Sequence, residues 1–148
     1  MPETSTLKIR NATVEDLQTI QSLLRSSNLP SGSIPKHLSN FLVAEVNGTI
    51  AGTIGLEIHE QHGLLRSASI LPSYQRRGIG SRLVNMILDY AREKGVKEVV
   101  LLTTTAENYF VKKGFSPVDR STLQGTILSS EEFQSECPST AICMRKVL

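Results

Sequence analysis

The apolar positions of this chain follow two different periods, and the changes between them mark out its elements. Leu7 to Asn11 alternates like a short strand. Leu17, Ile20, Leu23 and Leu24 then repeat at helical spacing, with Thr13 and Asp16 resembling an N-terminal cap. Asn28 to Asn40 holds Pro30, Gly32 and Pro35, so it reads as a loop with one helical turn, placed where it could cover a site. Phe41–Val46 and Thr49–Ile58 read as strands flanking Asn47–Gly48, a pair suited to a tight hairpin because both residues tolerate positive φ. A looser turn around Gln61 to Gly63 leads to a third strand, Leu64 to Leu71, which completes an antiparallel meander.

Beyond it, Leu83, Val84, Ile87, Leu88 and Ala91 share one helical face, and Gly95 stops that helix. Glu98 to Thr103 is almost continuously apolar, as expected of a strand covered on both faces. The strand-helix-strand order makes it parallel to the strand ending at Leu71. A short helix from about Ala106 to Lys113 ends at Gly114, and Phe115 to Val118 follows as a strand. A polar region with a capped helix at Ser129 to Glu136 then precedes a closing strand at Thr140 to Val147.

Composition narrows the class. With 148 residues, 39% hydrophobic and 20% charged, the sequence fits one globular domain that buries a core without disulfides or metal. A net charge of +2, with no Lys/Arg run interleaved with aromatics, argues against a nucleic-acid partner. No apolar run is long enough to cross a bilayer, and no N-terminal apolar signal segment is visible. With two cysteines, Cys137 and Cys143, the expected setting is the reduced cytoplasm, with both thiols free.

The chemistry centres on the stretch between Ile70 and the helix that starts near Ile79. Gly78 and Gly80 let the backbone approach a phosphate closely, the helix start leaves N–H groups unpaired, and Arg76 and Arg77 add more charge than one phosphate requires. A diphosphate is the natural guest. The dinucleotide fingerprint is excluded because Leu83 stands where its third glycine belongs, and Glu98 opens a strand instead of ending one. The P-loop is excluded because one residue, not four, separates the glycines and Gly80 itself precedes Ser81.

Gln75, Gly78 and Gly80, preceded by Ile70, Leu71 and Pro72 and followed by Leu83, resemble the coenzyme A loop of the GNAT N-acetyltransferases. Ala106, Tyr109, Phe110, Gly114 and Phe115 approximate a second family signature, and the order of elements resembles that fold over the whole chain. The resemblance implies a mixed α/β sheet of about seven strands, mostly antiparallel with one parallel pair, with helices on both faces, in a single domain spanning residues 1–148. It implies acetyl-CoA as acyl donor and the primary amine of a small molecule as acceptor, with attack inside a ternary complex. A homodimer is compatible with it. Ile70, Leu71, Arg76, Arg77, Gly78, Ile79, Gly80, Ser81 and Phe110 would contact the donor, Ile70 and Leu71 through backbone groups, one of them polarising the thioester carbonyl.

Two positions depart from the family pattern. Phe110 stands where many members carry a Tyr that protonates the leaving thiolate, and Thr103 where many carry an Asn. Members resembling the acetyltransferase domain of N-acetylglutamate synthase also have Phe there. Leu65, Arg66 and Ser67, with Cys137, Pro138, Cys143 and Met144, resemble acetyltransferases associated with arsenic-resistance operons. An amino acid or an amino-acid-like arsenical is then the implied acceptor. A protein N-terminus or lysine remains an alternative acceptor, and a non-catalytic acyl-CoA-binding module an alternative role.

Side chains need supply only a base. Ile54, Leu56 and Ile58 share one strand face and put Gly55, Glu57 and His59 on the other, where Glu57 is either the base or a carboxylate on a solvated face. Arg66, within an apolar strand, either grips an acceptor carboxylate or pairs structurally, and Leu29 joins it on the acceptor side. His59 and His62 have metal-compatible spacing but no further ligand. They read as a solvated pair, and no metal is assigned. Cys137 and Cys143 read as small buried thiols, with binding of a thiophilic group such as trivalent arsenic as the alternative.

Overall fold

The computed structural model describes residues 6–29, 31–123, 127, 130 and 141–148. Its strands are β1 (Leu7–Asn11), β2 (Phe41–Val46), β3 (Thr49–His59), β4 (His62–Ile70), β5 (Glu98–Thr103), β6 (Ser116–Pro117) and β7 (Ile142–Val147). Its α-helices are α1 (Leu17–Ser26), α2 (Ile34–His37), α3 (Ile79–Glu93) and α4 (Glu107–Lys112). Among the described residues the strands form one sheet in the order β1-β2-β3-β4-β5-β7-β6. The β4–β5 ladder is parallel, over His62–Leu64 against Glu98–Val100, as the strand-helix-strand order requires. The helix expected at 129–136 lies, Ser130 apart, outside the described residues, as do Cys137 and Pro138.

The chain divides into two structural units. The first comprises Met1–Leu56 and Ser67–Asp89. Here β2 pairs antiparallel with β1 and with β3, and the β2–β3 turn places Asn47 and Gly48 at φ 51° and 84°, as an Asn-Gly hairpin demands. Ile20 and Leu24 of α1, Ile34 of α2, and Phe41 and Val43 of β2 form its core. Gly55 is required there, since a Cβ at that position would overlap the Phe41 ring. The Asp16 carboxylate accepts from the Thr13 N–H at 2.7 Å and from Arg10 at 2.8 Å, which ties the start of α1 to β1. Those bonds hold Asp16 down at about 2.

The second unit comprises Glu57–Arg66 and Tyr90–Leu148. The turn expected at Gln61–Gly63 is tighter and earlier: β4 already starts at His62, and Glu60 takes a left-handed φ of 60°. The Gln61 carbonyl accepts from Lys97 N–H at 2.7 Å, so the approach to β5 fixes the turn. Gly95, at φ 82°, ends α3 with a Val96 N–H to Ala91 carbonyl bond of 3.0 Å. The strand expected over Phe115–Val118 shortens to Ser116–Pro117. Pro117 has no N–H, and the Phe115 N–H is taken by the Phe110 carbonyl. Leu64, Val100, Leu123, Ile127 and Cys143 pack together in this unit.

Candidate active site

The Gly-punctuated loop lies in the first unit. A 3-10 turn at Pro72–Tyr74 leads out of β4, and Gln75, Arg76, Arg77 and Gly78 are all exposed. Arg76 and Gly78 both take left-handed φ, 66° and 81°, and the first helical bond of α3 runs from Arg82 N–H to the Gly78 carbonyl at 3.1 Å. Residues in left-handed conformation beside a helix start form a concave backbone that presents N–H groups to an anion. No Cβ neighbour constrains Gly78, which leaves open space in front of it. Arg77 stacks over the Tyr74 ring at 5.1 Å, so its charge is held beside the loop. Ile79 is buried and anchors the helix start, while Gly80 and Ser81 are half-buried.

Behind the loop, the end of β4 is partly committed. The Leu71 N–H donates to the Ala51 carbonyl at 2.8 Å, so of the two residues expected to offer backbone groups Leu71 has its N–H committed to the sheet. Successive residues of a strand turn their backbone groups to opposite edges, which leaves the Ile70 N–H on the edge away from Ala51. The Ile70 carbonyl accepts from Gln75 Nε2 at 3.0 Å, so Gln75 ties the loop back to the strand.

The candidate base sits in the second unit. Glu57 is buried, and so is the whole of β3 from Ala51 to Glu57, which overturns the reading of a solvated face. Its Oε2 accepts from Arg66 Nη1 at 2.7 Å, with the two side chains 1% and 0% exposed. Its Oε1 meets His59 Nε2 at 2.9 Å. Arg66 is therefore buried and paired with a carboxylate of its own chain, the structural pairing that the sequence left open. The two histidines are not a solvated pair either, since His62 Nε2 lies 3.3 Å from the Glu98 carboxylate. Among the described residues no cluster of His, Cys, Asp or Glu is arranged to hold a metal ion.

Phe110 is buried at 7% exposure, edge-on to Tyr109 at 5.1 Å and to Phe115 at 5.6 Å. It is an interior ring, and the neighbouring Tyr109 carries the hydroxyl of this aromatic run, its pKa raised by partial burial. Thr103 Oγ1 accepts from the Ala106 N–H at 3.0 Å and so closes the turn before α4. Leu29, in the first unit, packs against the core around Phe41, and its N–H donates to the Leu24 carbonyl at 2.9 Å. Cys143 is a buried free thiol, and burial pushes its pKa up.

Two features were missed in the sequence: the left-handed φ of 62° at Ser67 within β4, which no glycine announces, and the contact of Ser69 Oγ with Ser27 Oγ at 2.6 Å. The Glu57–Arg66 pairing did carry a signal. A turn centred on Glu60–Gln61 sets Glu57 diagonal to Arg66 across the hairpin.

The chain is similar to proteins already known. The chain is 30% identical over 116 residues to an amino-acid acetyltransferase of Ralstonia nicotianae, which covers 72% of this chain and 26% of that protein. The chain thus spans about a quarter of the length of the curated relatives it matches. Among solved structures, N-acetylglutamate synthase of Neisseria gonorrhoeae, complexed with coenzyme A and N-acetyl-glutamate, superposes with a TM-score of 0.84 at 22% identity. That match covers 99% of this chain and 36% of the synthase. Rv2747 of Mycobacterium tuberculosis, solved in complex with CoA, gives 0.81 at 21% identity over 95% of this chain and 99% of its own. At such identities these two superpositions speak for the fold. The sequence model of the acetyltransferase (GNAT) family matches residues 12–115, a span that holds the loop, Glu57 and Arg66 alike, and the chain belongs to that family.

Proposed function

We propose that the chain is an N-acetyltransferase that moves the acetyl group of acetyl-CoA to the primary amine of a small molecule of the amino-acid class. The observation that carries this reading is the left-handed backbone at Arg76 and Gly78, exposed where it runs into the start of α3 and flanked by the two arginines. Arg76 and Arg77 offset the phosphate charge, and Gly78, Ile79, Gly80 and Ser81 bring main-chain amides to it. The Ile70 N–H is left to polarise the thioester carbonyl. The amino-acid class of acceptor is supported by the name of the Ralstonia relative.

Glu57 takes up the proton of the attacking amine. Arg66 holds the carboxylate in place and offsets its charge, so Arg66 acts as a positioning residue. Phe110 has no hydroxyl to give the donor's leaving group, and the thiolate is protonated from water or from the amine nitrogen itself. A primary ammonium loses one proton to the base. The amine forms the C–N bond, the C–S bond breaks, and one of the two protons left on nitrogen reaches sulfur while the other stays on the amide. The proposed setting is the reducing cytoplasm, where a buried free thiol such as Cys143 persists.

A thiol-release assay over a panel of amino acids, their arsenical analogues, polyamines and peptides tests this. Free CoA should appear with amino-acid-class acceptors, and Glu57→Gln should lower turnover at neutral pH while CoA affinity stays within about twofold. No CoA release with any amine would overturn the enzymatic reading, and unchanged turnover in Glu57→Gln would remove it as the base.

A further inference from the structure

We propose that the Ser27–Ser69 hydroxyl pair is the docking point for the acceptor's amino group, a reading that rests on the acetyltransferase function above. The two oxygens are 2.6 Å apart, a strong hydroxyl–hydroxyl bond joining the end of α1 to β4 within the first unit. Ser69 is 7% exposed, while Ser27 is open to solvent.

The two faces of the sheet can be told apart at this point. A Cβ on Gly52 would meet Ile70 Cδ1 and Leu83 of α3, whereas one on Gly55 would meet Phe41, in the core that includes α1. The Ile70 side chain thus lies on the face of α3, the helix whose start forms the phosphate loop. Ser69, one residue earlier, turns to the end of α1 on the opposite face. A thioester laid along the Ile70 backbone from the α3 side would meet an amine arriving on the Ser69 side.

The chemistry at Ser69 suits an amine. Two hydroxyls sharing one hydrogen bond retain three lone pairs and one O–H, so the pair is predominantly an acceptor, and an ammonium or amine is a donor. It also stands at the C-terminal end of α1, where the helix dipole favours a cation. The Ser27, Asn28 and Leu29 N–H groups donate back to the Leu24 and Arg25 carbonyls, and Asn28 takes a left-handed φ of 58°. That closure fixes Ser27 against Ser69, with Leu29 on the next position of the loop.

The test compares Ser69→Ala, Ser27→Ala and Ser69→Thr with the wild type by steady-state kinetics, CoA titration and thermal midpoint. Ser69→Ala should raise the acceptor KM at least tenfold, with CoA affinity within twofold and the midpoint little changed. Ser27→Ala should have a smaller effect in the same direction, and Ser69→Thr should recover most of the loss. An unchanged acceptor KM in Ser69→Ala, or a parallel loss of CoA affinity, overturns the assignment while leaving the enzymatic reading intact. If the wild type turns over no amine, that reading has failed. Titration of the CoA-loaded protein with ethylamine and glycine, read at the Ser27 and Ser69 amide resonances, then decides the docking point: saturable shifts support it and their absence overturns it.

Discussion

The loop from Gln75 to Ser81 and the cluster of Glu57, Arg66 and His59 are both charged, but they are built in opposite ways. The loop is exposed from Gln75 to Gly78 and its shape resides in the backbone, in the left-handed residues Arg76 and Gly78 and in the first turn of α3. The cluster is buried and resides in side chains, a carboxylate held between a guanidinium and an imidazole. Backbone sites of the first kind depend on few residues and lose function when a Cβ or a charge intrudes, while stability hardly changes. Buried charge of the second kind is interdependent, and removing one member leaves another uncompensated.

The sharpest way to break this contrast is Arg66→Leu. Deleting the guanidinium leaves Glu57 buried without its cation, which should cost about 3–5 kcal/mol in denaturant unfolding. The double variant Glu57→Leu/Arg66→Leu should recover much of that loss, because two apolar groups replace a charge pair. A single variant as stable as the wild type would show that Arg66 does not compensate Glu57 and would dissolve the contrast.

Gly80→Asp probes the other side. It places a carboxylate against the anion site, so CoA affinity should fall about a hundredfold, or roughly 2.7 kcal/mol. Unfolding should move little, since the residue is half-buried at the first turn of a helix, where an acidic residue is itself tolerated. Calorimetric titration with CoA checks the first expectation and chemical denaturation the second. Unaltered affinity would detach the loop from the donor.

The same division governs how much could be read from the chain. Gly78, Asn47, Gly48, Gly95 and Gly114 announce special backbone conformations by residue type, so the loop, the first hairpin and two helix ends were legible. Alternation and helical spacing located the strands and α3 for the same reason. Burial of Glu57 was not legible. It follows from both faces of β3 being covered, and period-2 alternation alone does not say whether the second face meets solvent or protein. Ser67 escaped because a residue with a Cβ normally avoids φ above zero, and only tertiary context holds it there. The error at Gln61–Gly63 hid the Glu57–Arg66 diagonal, since a looser turn shifts the register on which that neighbourhood depends.

Asp16 supplies an intermediate case that grades the comparison. Its carboxylate is 8% exposed, but its partner Arg10 is 29% exposed, so the pair is only partly shielded from solvent. Arg10 and the Thr13 N–H hold Asp16 at about 2, below its ordinary 3.8. The unfolded chain therefore binds the proton more readily than the folded one. The pair stabilises fully above about pH 4, and its contribution is lost as pH falls through about 2. Discounted for the exposed side of Arg10, the contribution should be roughly 1–2 kcal/mol, below that of the buried Arg66. Asp16→Asn should lose that amount at pH 7, and its gap from the wild type should close as the pH is lowered toward 2. A gap that persists unchanged at pH 2 would assign the loss to the cap geometry at Thr13 and not to charge.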